Sequence, residues 1–394
     1  MGIIWGSSGR KRVQCKNKGF EKMRINPKKI INFDNLTILK EWPLDCFTAC
    51  VTDPPYGLKF MHKKWDCQVP KVELWAEVLR VLKPGGWLLC FSGTRTQHRM
   101  ACNIEDAGFE IRDMLAWVYG SGFPKSLDVS KAIDKAAGAE QDVVGSRRKL
   151  ESYGKGNAVF GSGPDHGGEQ AITAPATDAA RQWEGWGTAL KPALEPITLA
   201  RKPFSGTVAD NALKNGAGGL NVDGCRVGYA DGEISGTAKR REYGFTPNIE
   251  KAGDSEFRGA LRDRTDPIKK SMPKDSDNKG RWPANLIHDG SEEVLEVFPG
   301  EGEKSAARFF YCAKASKAER NKGLDGACSH PTVKPLALMR YLVRLVKQPG
   351  ANVILDPYAG TGTTGLACEL EGVSDYILFE QSAEYVKIMQ KREA

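Results

Sequence analysis

The sequence predicts an α/β fold built on a mostly parallel, doubly wound sheet, and three observations carry that expectation. Short apolar runs alternate with amphipathic helical stretches near both ends of the 394-residue chain. Each end also holds a tight turn directly after an apolar run, Asp53-Pro54-Pro55-Tyr56 early and Asp356-Pro357-Tyr358-Ala359-Gly360-Thr361-Gly362-Thr363-Thr364 late. Between them lies a long polar, Gly-rich stretch without hydrophobic period, which reads as an insertion into one domain rather than part of its sheet.

The order of elements follows from those patterns. Residues 1–29 form a basic tail in which Arg10, Lys11, Arg12, Lys16, Lys18, Lys22, Arg24, Lys28 and Lys29 face Glu21 alone, so the tail matches the whole net charge of +8. Two readings of it stay open: an arm that neutralises phosphates without reading sequence, or a solvated tail, with Met23 as an alternative first residue. Residues 30–137 are the first part of the catalytic domain. Phe47 to Thr52 is a buried strand, Val72 to Leu82 a helix stopped by Lys83-Pro84-Gly85-Gly86, and Trp87 to Phe91 the next strand. Gln97 to Ala107 is a helix closed by Gly108, and Glu110 to Tyr119 a strand.

Residues 138–185 are a Gly-rich insertion, and residues 186–203 return one strand to the domain, Leu194 to Ala200. Pro196 places that strand at an edge or near its own start, because proline donates nothing to a ladder. Residues 204–308, Gly-, Asn- and charge-rich without clear period, are read as a target-recognition region, and over residues 141–320 basic and acidic residues nearly balance. Residues 309–394 close the domain with a helix over Leu336 to Val346, a strand over Asn352 to Leu355, a helix over Thr363 to Leu370, a strand over Tyr376 to Phe379 and a final helix over Ala383 to Lys391.

Composition narrows the class of protein. Hydrophobic residues make up 40% of the chain, as in ordinary globular proteins. No apolar run approaches the length of a membrane span and no leader pattern opens the chain, so the expected location is the cytoplasm, with no membrane partner. The ten cysteines include no Cys-x-x-Cys pair, which favours buried thiols over a metal site. Monomer and homodimer remain equally compatible with the composition.

The two turns carry the chemistry. An exocyclic amine of a nucleobase is a poor nucleophile because its lone pair is delocalised into the ring. The Asp53 carboxylate and the Pro54 carbonyl are two acceptors for its N–H groups, held in place by the fixed φ of Pro54 and Pro55. Tyr56 offers a face on which an extruded base stacks, for about 1–3 kcal/mol. In the late turn, Gly360 and Gly362 open a helix without Cβ atoms between backbone and ligand. No Gly-Lys-Ser/Thr ending follows, so this is not a phosphate loop, and Glu380 at the end of the next strand is placed to accept from ribose hydroxyls. The pairing points to methyl transfer from S-adenosylmethionine to a base.

On these motifs the chain resembles the permuted, beta-class, S-adenosylmethionine-dependent amino DNA methyltransferases, in which Asp-Pro-Pro-Tyr precedes the recognition region and the cofactor loop comes last. The resemblance covers residues 32–137 and 311–392, and includes His330-Pro331-Thr332-Val333-Lys334-Pro335. It implies a Rossmann-like, circularly permuted methyltransferase fold acting on double-stranded DNA. It further implies that Thr332 and Lys334 hold the methionine end of the cofactor, that Asp34 lies near its adenine, and that Asp356, Tyr358 and Thr363 belong to the cofactor loop. Two positions depart from the family pattern, with Tyr358 for a usual Phe and Thr361 for a usual Ser. Trp117, Phe123 and Lys125 fall where the family has a loop facing the extruded base, although core packing suits Trp117 equally. The Asp at position 53 implies adenine N6 rather than cytosine N4, with an RNA adenine enzyme or a non-catalytic nucleic-acid-binding subunit as alternatives.

Overall fold

The computed structural model describes residues 28–58, 66–120, 122, 126–148, 169–228, 280–300, 305–313 and 333–393. Its strands are β1 (Lys28–Ile31), β2 (Phe47–Thr52), β3 (Leu82–Phe91), β4 (Glu110–Val118), β5 (Val143–Arg148), β6 (Glu169–Thr173), β7 (Leu194–Arg201), β8 (Leu286–His288), β9 (Tyr311–Cys312), β10 (Val353–Asp356) and β11 (Asp375–Phe379). Nine of them form one sheet in the order β1-β11-β10-β2-β3-β7-β4-β8-β9, and β5 with β6 form a separate antiparallel pair. Within the nine, only β7 runs against its neighbours. The sheet is therefore mostly parallel, and the two patterned ends of the chain meet in it where β10 pairs with β2, Ile354 opposite Ala49 and Leu355 opposite Cys50.

Side chains alternate across each strand and feed two separate cores. Ala49, Val51, Leu89 and Phe91 pack with Leu338, Leu342 and Val346 of the helix Leu336–Val346 and with Ala367 of the helix Thr363–Leu370. Cys50, Leu88 and Cys90 point the other way, onto Leu39 of the helix Asn35–Glu41, Trp75 and Val78 of Val72–Val81, and Met100 and Ile104 of Gln97–Asp106. The fully buried Val, Leu, Ile, Phe and Met side chains among them each contribute roughly 1.5–3 kcal/mol. Helices on both faces make the sheet doubly wound.

Several local outcomes differ from expectation for identifiable reasons. Lys83 to Gly86 do not separate helix from strand but begin β3, with a register shift against β2 between Phe47 and Ala49. Gly85 supplies the left-handed backbone this needs, at φ +77°, and Asn211 Nδ2 caps the Pro84 carbonyl at 3.0 Å. The β7 strand is internal, not an edge, and Pro196 is its third residue. The Pro196 carbonyl accepts from the Ser92 N–H just past the last β3 pair, so the missing donor faces the point where β3 has ended and costs no ladder bond.

Three segments lie differently from the sequence boundaries. Lys28 and Lys29, assigned to the tail, have their backbone in β1 opposite Tyr376 and Ile377. Residues 286–288, assigned to the recognition region, form β8 beside β4. The Gly-rich insertion contains the antiparallel strands β5 and β6 and the short helix Asp178–Gln182. These strands are short and lack a clean alternation, so no period announced them.

Among the described residues no helix is long and apolar enough to cross a membrane, and no three His, Cys, Asp or Glu side chains gather as metal ligands.

Candidate functional site

Strand order reverses between β10 and β2: the chain passes from β10 through Thr363–Leu370 to β11 on one side, and from β2 through Val72–Val81 to β3 on the other. Such a reversal leaves a crevice at the carboxyl ends of the two strands. Asp356 ends β10 and Asp53 follows β2, so adjacent strands deliver both turns to one cleft of about 1530 Å³. Asp34, Asp53, Pro54, Pro55, Tyr56, Lys334, Asp356, Tyr358, Gly360, Thr363 and Glu380 all line it. Thr332, Phe123 and Lys125 lie outside the described residues.

The early turn is held from below. Both oxygens of buried Asp66 accept backbone N–H groups, from Gly57 at 2.8 Å and Leu58 at 3.2 Å, and the Thr96 hydroxyl donates to the Tyr56 carbonyl at 2.7 Å. Gly93 lies close alongside, where a Cβ would stand a tight 3.1 Å from the Tyr56 ring. The Tyr56 hydroxyl lies 2.7 Å from Asp53 Oδ1 and 3.0 Å from Glu195 Oε2. Burial first, and then the charges of Asp53 and Glu195, push the Tyr56 phenol well above its ordinary pKa, so it remains a neutral donor.

Lys334 lines the cleft and reaches the early turn. Its Nζ donates to Asp53 Oδ2 at 2.8 Å, to Glu195 Oε2 at 3.0 Å and to the Tyr56 hydroxyl at 3.0 Å, which occupies all three N–H groups at the early turn. Burial pulls the ammonium pKa down, but the attraction of Asp53 and Glu195 outweighs it and holds Lys334 protonated. Glu195 itself drew no notice in the sequence. The available signal was a lone carboxylate in the otherwise apolar run Leu194 to Ala200.

The late turn is organised around Asp356. This buried carboxylate accepts from Thr52 Oγ1 at 2.7 Å, Thr364 Oγ1 at 2.5 Å and the Tyr358 N–H at 3.0 Å. Burial raises its pKa to about 6 against the opposing pull of those bonds. Glu380 accepts from the Gly360 N–H at 3.0 Å and the Ser382 N–H at 2.7 Å, while burial moves its pKa up. Asp34 caps the helix Asn35–Glu41 through the Thr37 N–H at 2.9 Å, at the rim of the cleft.

Gly362 has a second cause beyond ligand access. At φ +80° it begins the helix Thr363–Leu370, and a Cβ there would meet Met389 Cγ at 2.7 Å. Its bare face thus packs on the helix Ala383–Glu393. From that helix Arg392 Nη1 donates to the Thr361 carbonyl and hydroxyl, both at 2.9 Å, and clamps the loop. A single arginine in a terminal helix gave no sequence signal. Trp117 is 8% exposed, packed in the core beside Tyr119 at a centroid distance of 4.8 Å.

Over 154 residues the chain is 30% identical to the type II methyltransferase M.HindIII of Haemophilus influenzae, covering 38% of each. Over 69 residues it is 38% identical to the DNA adenine methyltransferase YhdJ of Escherichia coli K12, covering 18% of this chain and 23% of that one. The chain thus matches well under half the length of these relatives. Among solved structures, the M1.HpyAVI–SAM complex aligns over 92% of this chain and 98% of its own at 17% identity and a TM-score of 0.40. The cytosine-N4-specific PvuII DNA methyltransferase aligns over 94% and 87% at 14% identity and a TM-score of 0.45. The profile of the N6/N4 DNA methylases matches residues 47–137 and 198–391, which is more than half of the chain, and the chain belongs to that family.

Proposed function

We propose that this DNA methylase transfers a methyl group from S-adenosylmethionine to the exocyclic N6 of an adenine rotated out of double-stranded DNA. One observation carries the reading: Asp53 and Glu380, the two carboxylates with separate tasks in it, line a single cleft at the point where strand order reverses. The donors and acceptors around that cleft fit the cofactor. Glu380 has lone pairs beyond those given to Gly360 and Ser382 and takes the ribose hydroxyls, while the loop from Asp356 to Thr363 supplies backbone to the methionine end. Bound there, S-adenosylmethionine supplies an electrophilic methyl on a sulfonium.

The residues of the early turn then act on the amine. Asp53 accepts one N–H of N6 and the Pro54 carbonyl accepts the other, which localises the nitrogen lone pair toward the methyl. Tyr56 and Lys334 hold the Asp53 carboxylate in place before substrate arrives. The choice of adenine rests on the aspartate at position 53 and on the similarity to YhdJ, a DNA adenine methyltransferase.

Incubating the protein with methyl-labelled S-adenosylmethionine and either duplex DNA or RNA, then digesting to nucleosides, tests the proposal. N6-methyladenine from DNA is the expected product. N4-methylcytosine alone replaces the base, modification of RNA alone replaces the polymer, and no label in either polymer rejects the reaction.

A further inference from the structure

Methyl transfer to an amine leaves a proton to be removed, and the four side chains at the early turn define where it goes. Resting on the methyl-transfer reading above, we infer that Glu195 is the proton outlet of the reaction, connected to Asp53 through the Tyr56 hydroxyl.

The geometry has three parts. The Tyr56 hydroxyl bridges the carboxylates, 2.7 Å from Asp53 Oδ1 and 3.0 Å from Glu195 Oε2, yet it carries one hydrogen and donates to one of them at a time. Lys334 bonds both carboxylates and the hydroxyl, which fixes the three oxygens in one array. Glu195 belongs to β7, the reversed strand, and its side chain lines the cleft at 19% exposure, as open as Asp53 at 20%, so the array has a carboxylate in contact with the cleft at each end and Glu195 is the one not facing the amine.

The step balances without a further reactant. The N6 lone pair forms the N–C bond, and the C–S bond breaks with its electrons going to sulfur. The methylated nitrogen, now cationic, gives one N–H proton to Asp53. Asp53 passes it to the Tyr56 oxygen as the Tyr56 hydroxyl proton moves to Glu195 Oε2. Glu195 releases it to water, and rotation of the Tyr56 hydroxyl restores the starting state.

Charge supports the assignment. Asp53 and Lys334 alone would be neutral; Glu195 leaves the array at net −1, opposite the single positive charge that moves from sulfonium to amine. The ionisable groups facing Glu195 are Tyr56, Asp53 and Lys334, with Tyr119 at 3.4 Å from the end of β4. Arg95, Lys191 and Asp66 line the same cleft farther along.

The test is a pH series of single-turnover methyl transfer to duplex DNA by wild type, Glu195→Gln, Glu195→Ala and Glu195→Asp. Cofactor affinity and melting temperature are read on each free protein. The outlet predicts rates at least tenfold lower in the Gln and Ala variants with affinity within twofold of wild type. It predicts a pH profile of the rate that differs from wild type in both, and recovery of Glu195→Ala by formate. Glu195→Asp keeps most of the rate. A wild-type rate and pH profile in Glu195→Gln overturns the outlet, as does a lower rate of unchanged profile that formate does not restore, since that marks packing alone. Loss of the melting transition in both neutral variants assigns Glu195 a structural role and overturns it too. An inactive wild type that still binds cofactor rejects methyl transfer itself, whereas an active wild type indifferent to Glu195→Gln rejects only the outlet.

Discussion

Lys334 Nζ and Asp53 Oδ2 form an ion pair at 2.8 Å between a buried ammonium and a half-buried carboxylate, joining the loop after β2 to the segment that leads into the helix Leu336–Val346. The pair ties the early and late parts of the chain together in the cleft. In the proposed reaction it also predisposes the Asp53 carboxylate, because an acceptor already fixed by two donors needs no reorganisation when an amine arrives.

Removing that cation strands two carboxylates around one hydroxyl. Lys334→Met is therefore expected to destabilise the protein by about 2–4 kcal/mol, below the full cost of breaking a buried pair because both carboxylates keep some contact with water. Urea unfolding of wild type and variant measures it. A loss below about 1 kcal/mol would mean that water already screens the cluster.

Gly362→Ala combines two penalties, a left-handed backbone at φ +80° and a Cβ 2.7 Å from Met389 Cγ. We expect a loss of about 1–3 kcal/mol together with weaker cofactor binding. Adding Met389→Ala is expected to return only the crowding part. Full recovery in the double variant would show that the backbone conformation is not strained for alanine.

Asp356 gives stability a pH dependence of definite sign. Its pKa in the folded state is about 6, above the ordinary 3.8, so the folded protein holds the proton through that window while the unfolded chain has lost it. Its contribution is complete below about pH 4 and is lost as pH rises through about 6. Melting temperatures of wild type and Asp356→Asn across pH 4 to 7 check this: the variant should lack that part of the decline. Parallel curves would place the Asp356 pKa at its ordinary value.

The basic tail makes a separate prediction. Deleting residues 1–22 removes Arg10, Lys11, Arg12, Lys16, Lys18 and Lys22, and should weaken DNA binding at low salt and flatten its salt dependence without changing cofactor affinity. Binding measured over a salt series checks it, and an unchanged slope leaves the tail without a role in binding phosphates.

Strong local patterns carried much of the architecture into the sequence. Phe47–Thr52, Leu336–Val346 and Thr363–Leu370 have the expected bounds because each is a long apolar pattern ended by turn residues. Weak or purely tertiary signals did not carry. β8 is three residues long and is specified by its pairing with Trp117 and its neighbours, not by its own composition. At the site, Asp53, Tyr56, Gly360 and Glu380 stood out because their motifs are local. Glu195 and Arg392 act across the fold, and only folding shows that β7 delivers a carboxylate to Tyr56 or that the last helix clamps Thr361. Lys334 was legible as a site residue, but its partners were not.

The most direct test of the central claim compares wild type with Asp53→Ala in one experiment: labelled methyl transfer to duplex DNA under single turnover, with cofactor affinity measured by calorimetry on the same preparations. The arrangement around Asp53 predicts wild-type cofactor affinity in the variant and a rate lower by at least about a hundredfold, as when one preorganised charge-stabilising group is removed. Transfer by Asp53→Ala at near the wild-type rate would contradict the account, because the amine would then need no acceptor at that position.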